Sequence, residues 1–227
     1  MKSICLLFAG LVLVLLAVMP MQAATIAYMD PQDLGNEIWP GNLAEDFTVN
    51  SPITITALGV YDSGGNGSTG SPAGTLTVGI VASNGTVEGS ATFSPSTTYT
   101  LTGGDLFQNV TMFTLGPGTY SLTTTGWGVG IPNGNRNCSG GGCGTSNTSY
   151  TPPTLNTGGG LITFTGIGYS SNNSLMYLGP NDSWPDDEFN AGSFQFNAST
   201  APEPATLAGV ALGLIGLLAF RRYSFKG

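Results

Sequence analysis

The chain contains no histidine in 227 residues, and that absence removes much chemistry at once. Ser-His-Asp and Cys-His catalysis need an imidazole, and His-ligated zinc or iron centres need one as a ligand. Basic side chains are nearly as scarce: five Lys and Arg stand against 13 Asp and Glu, for a net charge of −8. Four of the five cations lie at the chain ends (Lys2, Arg221, Arg222, Lys226). Residues 24–200 therefore hold one cation, Arg136, against 12 carboxylates, a net charge of −11. A surface this acidic repels phosphate backbones and anionic lipid, so the expectation is no nucleic-acid partner. Divalent cations and neutral sugars are compatible with it. Charged residues make up only 8% of the chain, and Gly, Ser, Thr and Asn supply the polar surface instead. Low charge with abundant Val, Ile, Thr, Phe and Tyr reads as ordered β-structure, not disorder.

Cysteine is also sparse, with three in the whole chain. Cys5 lies at the start of an apolar N-terminal run, not after it, which argues against a lipoprotein site. Cys138 and Cys143 flank Ser139-Gly140-Gly141-Gly142. Two thiolates without further Cys or His make a poor metal site. In an oxidising compartment the expectation is a disulfide that pins the loop from Pro132 to Gly160, with free thiols as the alternative.

Long hydrophobic runs occur only at the two ends. Lys2 supplies a positive start, Ile4 to Val18 an apolar core, Pro20 a break, and Met21-Gln22-Ala23 a small residue for cleavage after Ala23. That order predicts a signal peptide over residues 1–23, read by the Sec translocon and signal peptidase. At the other end, Pro202-Glu203-Pro204 precedes the uncharged stretch Leu207 to Phe220, followed by Arg221 and Arg222. Pro202 and Pro204 fix φ and remove backbone donors, so the tripeptide is extended and stays out of the helix behind it. The arginines hold the far end on the cytoplasmic side. Fourteen apolar residues at ~1.5 Å each span about 21 Å, short of the roughly 30 Å hydrocarbon core. Ala205, Thr206 and Tyr223, with snorkelling arginines, narrow that gap. Gly209 and Gly213 form a G-x-x-x-G pair, common in such tails.

This tail closely resembles the PEP-CTERM sorting signal of Gram-negative bacteria that make extracellular polysaccharide, a tail also labelled ice-binding protein C-terminal domain. Nothing in these residues implies ice binding. The resemblance implies recognition of Pro202, Glu203 and Pro204 by exosortase, an integral-membrane cysteine protease. It further implies an anchor over Leu207 to Phe220 and a stop at Arg221 and Arg222, so that residues 201–227 form the sorting signal. The protein would be anchored in the inner membrane before processing and then delivered to the cell surface or extracellular matrix, with exopolysaccharide as a candidate partner.

Between the two ends, turn punctuation recurs every 8 to 15 residues or so and no helical period persists. Predicted strands are Ile26–Met29, Phe47–Val49, Ile53–Val60, Leu76–Val81, Ser90–Phe93, Asn109–Leu115, Thr119–Thr125, Leu161–Tyr169, Leu175–Leu178 and Ser193–Phe196. Asn84-Gly85 reads as a tight hairpin, and Gly116-Pro117-Gly118 as a turn. The expected fold for residues 24–200 is all-β: a single antiparallel β-sandwich, jelly-roll-like. The stretch Ile55 to Gly67, the strand Thr77 to Ile80, the run Leu115-Gly116-Pro117-Gly118-Thr119-Tyr120 and the ending Phe189 to Phe196 are similar to exported bacterial β-sandwich modules. Those modules include the domain-of-unknown-function group numbered 4082. That resemblance implies fold and location, not chemistry.

Candidate sites in the body are loops. Asp62-Ser63-Gly64-Gly65-Asn66-Gly67 offers oxygen ligands on a flexible backbone, the kind calcium takes, with Asp62 and Asn66 as ligands. A plain Asx-stabilised turn is the competing reading. Asp182, Asp186, Asp187 and Glu188, beside Trp184, form the densest acidic patch and a second place for a cation, or a solvated loop. Glu45-Asp46, Glu88 and Asp187-Glu188 are assigned to turns, so no facing carboxylate pair for glycoside hydrolysis is expected. Trp39, Trp127, Tyr150, Tyr169, Tyr177 and Trp184 are the aromatics available to stack on sugar. Sequons begin at Asn66, Asn84, Asn109, Asn147 and Asn172, as Asn/Ser/Thr-rich composition alone would produce. The expectation is a non-enzymatic exported surface or matrix protein with no required cofactor. A glycan- or calcium-binding module is the alternative, and a secreted hydrolase a weaker rival.

Overall fold

The computed structural model describes residues 23–31, 33–64, 69–70, 72–135, 151–180, 189–199 and Gly213. Among those of the body there is no helix, and the sheets are antiparallel throughout. In chain order the strands are β1 (Thr25–Ile26), β2 (Tyr28–Met29), β3 (Asn42–Val49), β4 (Ile53–Tyr61), β5 (Thr69–Gly70), β6 (Leu76–Ala82), β7 (Val87–Phe93) and β8 (Tyr99–Thr102). They continue with β9 (Asp105–Leu115), β10 (Gly118–Thr125), β11 (Gly134–Asn135), β12 (Thr154–Leu155), β13 (Ile162–Ser170), β14 (Phe189–Asn190) and β15 (Gly192–Ala198). One sheet runs β1-β15-β4-β9-β8-β5 and the other β13-β3-β10-β6-β7; β11-β14 and β12-β2 are two-residue ribbons.

Period-two alternation puts one face of each large sheet into a shared core. On β3 the inward set is Leu43, Phe47 and Val49; on β10 it is Tyr120 and Leu122. From the other sheet come Ile53, Ile55, Leu58 and Val60 of β4 and Phe194 and Phe196 of β15. Aromatic contacts tie the layers together: Phe47 meets Phe194 at 4.8 Å between ring centres and Tyr120 at 5.7 Å. Tyr28 bridges Phe164 at 4.8 Å and Phe194 at 6.1 Å. Burying Phe47 or Phe194 fully contributes about 2–3 kcal/mol each.

The turns behave as their residues dictate. At Asn84-Gly85 the Thr86 N–H donates to Asn84 Oδ1 (2.9 Å) and Gly85 takes φ +87°, the hairpin expected. The Gly116-Pro117 turn leads from β9 in one sheet to β10 in the other. Tyr120 Oη–H closes it on the Gly116 carbonyl at 2.9 Å, in the manner of a tyrosine corner.

Five expectations need correction, the first being Glu88, which lies not in a turn but on β7. Leu175–Leu178 is not a strand; it belongs to a segment that crosses the outer face of the β3–β10–β6 sheet. Glu45 and Asp46 are not in a turn but fully buried in the middle of β3, which begins five residues earlier than expected. Ile26–Met29 is split into β1 and β2 at Ala27, whose N–H goes to the Phe194 carbonyl. Strand β8, which pairs with β9 through the Gly103-Gly104 turn, was not foreseen.

The strand directions define two poles. β3, β6, β9 and β15 all end at one, with the loops Asn50–Pro52, Ser83–Gly85, Gly116–Pro117 and Gly158–Leu161. At the other lie Asp30, Asp62, the Gly103-Gly104 turn and residues 127–135. Pairing of Thr25 with Phe196 brings the front of the chain in beside its last strand. Both ends of the body therefore leave from the first pole.

Candidate functional site

Carboxylates gather at the second pole. Asp30 and Asp105 are both buried, and their carboxyl groups face each other. Burial, and then the charge of its neighbour, holds Asp30 well above the usual carboxylate range; burial does the same for Asp105, with Asp62 adding repulsion. Two carboxyls this close cannot both ionise cheaply, so the pair retains a proton to higher pH than either would alone. The sequence folds so here because Gly104 takes φ +83°, which lets the Asp30 backbone approach. A methyl on Gly104 would sit 2.2 Å from the Asp30 carbonyl oxygen.

Asp62 stands at the edge of this group. Its N–H donates to the Gly104 carbonyl (3.1 Å), and partial burial raises its pKa. The turn behind it serves as scaffold: Ser63 Oγ accepts the Gly35 N–H at 2.8 Å, and Gly64 N–H donates to the Asp33 carbonyl at 2.8 Å. Glu37 bridges towards β11, where Asn135 Nδ2 donates to its Oε1 at 2.9 Å. Burial raises its pKa, and the Asn135 and Asn133 amides partly offset that. Among the described residues no group of three or more acidic or thiol side chains is arranged to hold a metal ion. The predicted cation ligands Asn66, Asp182, Asp186, Asp187 and Glu188 lie outside the described residues, as do Cys138 and Cys143.

A second cluster lies on the outer face of the five-stranded sheet, covered by residues 172–179. Asn42, Asp46, Ser121 and Thr123 point outward from β3 and β10, yet all four are fully buried. The covering strap bonds three of them, leaving Asn42 Oδ1 and Asp46 Oδ2 buried without a partner: Asn42 Nδ2 donates to the Ser174 carbonyl (2.6 Å) and Thr123 Oγ1 to the Met176 carbonyl (2.8 Å). Ser121 Oγ accepts the Leu178 N–H (3.3 Å) while donating to Asp46 Oδ1. Small residues make room, since a methyl on Gly79 would meet Leu175 at 2.6 Å and one on Gly168 would meet the Gly179 carbonyl at 2.5 Å. Burial pushes Asp46 up to about 6, against the lowering effect of the Ser121 bond. Tyr177 on the strap is pushed up by burial and then by the Asp46 carboxylate.

Of the aromatics considered for sugar stacking, Trp127 is buried, its Nε1–H on Thr124 Oγ1 at 2.8 Å. Tyr177 is partly buried in the strap. Tyr169 is half exposed and stands edge-on to Trp39 at 5.8 Å and to Phe189 at 6.3 Å. Tyr150 and Trp184 lie outside the described residues. Sequence reasoning missed Asp30, Asp105 and Asp46. For Asp46 a signal was present: Leu43, Glu45, Phe47 and Val49 alternate with period two, which marks a strand despite the two acids.

Of the membrane-directed ends, only Ala23 and Gly213 are described, and Gly213 is helical. Among the described residues no helix is long and apolar enough to cross a membrane; the predicted signal peptide (1–23, apart from Ala23) and the tail (201–227, apart from Gly213) fall outside them. The described body thus belongs to the class of all-β domains whose two ends leave together. Residues 200–222, immediately beyond it, match the family described as the PEP-CTERM protein-sorting motif. The matched span contains Pro202, Glu203, Pro204, Arg221 and Arg222, and it indicates exosortase-dependent sorting of an exported protein that is anchored in a membrane and then processed. No curated protein and no solved structure matches the chain.

Proposed function

We propose that this is a non-enzymatic exported protein whose body, a single β-sandwich, is delivered to the cell surface or extracellular matrix after cutting at Pro202-Glu203-Pro204. The observation that carries the reading is the sorting motif at residues 200–222, which begins two residues after β15 ends at Ala198. Supporting it are the N-terminal leader pattern ending at Ala23 and the absence of histidine from the sequence. The described buried carboxylates have structural partners: Asp46 meets Ser121, which also takes the strap's Leu178 N–H, and Asp30 and Asp105 face each other beneath a glycine turn. The test is Glu203→Ala in the native host. The anchored, full-length form should accumulate in the membrane fraction; size and location unchanged from wild type would remove the reading.

A glycan-binding surface is the second reading, favoured by half-exposed Tyr169 flanked edge-on by Trp39 and Phe189. Trp39 Nε1–H is already engaged by the Ser170 carbonyl (3.2 Å), which fixes the indole beside Tyr169. Retention of the purified body on exopolysaccharide, lost on Tyr169→Ala, would support it. No retention by wild type, with or without calcium, would exclude it.

A further inference from the structure

The body is tethered very close to its processing site. Strand β15 ends at Ala198, and Ser199 N–H is still bonded to the Pro52 carbonyl at 2.9 Å. From Ser199 to Pro202 there are three peptide steps, at most about 10 Å even when fully extended. An enzyme whose cleft holds Pro202-Glu203-Pro204 must therefore meet the pole from which β15 emerges. The loops there are Asn50-Ser51-Pro52, Ser83-Asn84-Gly85, Gly116-Pro117 and Gly158 to Leu161, and none carries a charged side chain. Among the described residues, Glu88, on the exposed edge strand β7, is the one carboxylate towards this pole. Asp30, Asp33, Glu37, Asp62 and Asp105 all sit towards the other. The front of the body leaves by the same neutral pole, since Thr25 pairs with Phe196, two residues after the expected leader cleavage at Ala23.

Resting on the sorting reading above, we propose that this uncharged pole, centred on Asn50–Pro52 and Gly116–Pro117, is the face on which the membrane-embedded processing enzyme docks. Charge placement fits that role. A membrane surface with anionic headgroups repels carboxylates within about a Debye length. Among the described residues, the partly exposed Asp33, Glu37 and Asp62 stand at the far pole, so the body can approach an anionic surface by the uncharged loops of the near one. The short tether makes the contact obligatory, and the neutral loops make it tolerable.

The test measures the rate of conversion from precursor to processed form by pulse-chase in the native host. Asn50→Asp, Ser51→Asp and Asn84→Asp together place three carboxylates on exposed positions of the neutral pole. Leu34→Asp and Val129→Asp, both strongly exposed in loops on the acidic side, serve as the control. The first variant should be processed about tenfold more slowly, as like-charge contacts at an interface cost. The control should match wild type. Inserting ten Gly/Ser residues between Ser199 and Thr200 should restore the rate of the slow variant, because the enzyme then no longer touches the pole. Melting of each purified body shows whether the substitutions leave the fold intact. Wild-type processing of the triple variant, or slow processing that the linker does not restore, overturns the proposal. Glu203→Ala separates the two readings: if it blocks processing while the triple variant does not, only the docking face is wrong; if it too is processed normally, the sorting reading fails first.

Discussion

Asp46→Asn isolates the electrostatic cost of the strap. Asp46 is fully buried under residues 172–179, and its pKa is raised from 3.8 to about 6. A raised carboxyl pKa means that the folded state binds the proton more tightly than the unfolded chain. The associated stability is fully present below pH ~3.8 and is lost as the pH rises through ~6, then stays flat. About two pH units at ~1.4 kcal/mol each give a loss of about 3 kcal/mol across that window. Asparagine keeps the acceptor for Ser121 Oγ–H but does not titrate, so any fixed cost of its amide is the same at every pH. The stability difference between variant and wild type should therefore move by about 3 kcal/mol in favour of the variant between pH 3 and pH 8. For a body of this size that is about 6–12 °C in melting temperature. Paired urea or thermal unfolding at pH 3, 5, 6.5 and 8 reads it. A difference that stays constant across the series, or that moves against the variant as pH rises, would refute the reasoning.

The remaining predictions concern packing and turns. Gly168→Ala should cost about 1–3 kcal/mol by pressing on the Gly179 carbonyl and lifting the strap off β13, and proteolysis within residues 172–179 should quicken. Wild-type melting and wild-type proteolysis would argue against a tightly seated strap. Gly104→Ala combines φ +83° with a 2.2 Å clash on the Asp30 carbonyl oxygen and should cost about 2 kcal/mol or more in chemical denaturation. Tyr120→Phe removes the 2.9 Å bond to the Gly116 carbonyl and should cost about 1 kcal/mol, read from the same urea midpoint.

The strand skeleton was readable where side chains alternate cleanly. Ile53 to Val60 and Leu76 to Val81 carry small or hydroxyl residues between aliphatic ones, and both fold as strands at nearly the expected bounds. Reading failed where polar residues are buried. Glu45-Asp46 reads as a turn because Glu and Asp rarely fill core or covered positions, a bias that outweighed the alternation of Leu43, Phe47 and Val49 around them. Leu175 to Leu178 looks like a strand because its residues are apolar. Its polar backbone instead pairs with the side chains of Thr123 and Ser121, and Leu175 seats over Gly79. No local pattern encodes a contact of that kind. The Asp30 and Asp105 pair was hidden for a similar reason, because the two residues are 75 positions apart and meet only through the Gly103-Gly104 turn. The sorting motif, by contrast, was legible, since Pro202-Glu203-Pro204, an apolar run and two arginines follow one another in linear sequence and residues 200–222 match the motif.

The most direct measurement is the intact mass of the protein recovered from its native host, with both termini sequenced. The account requires a chain that starts near Ala24 and stops at or close to Pro202-Glu203-Pro204, found outside the inner membrane. A product that still begins at Met1 and ends at Gly227 would contradict it.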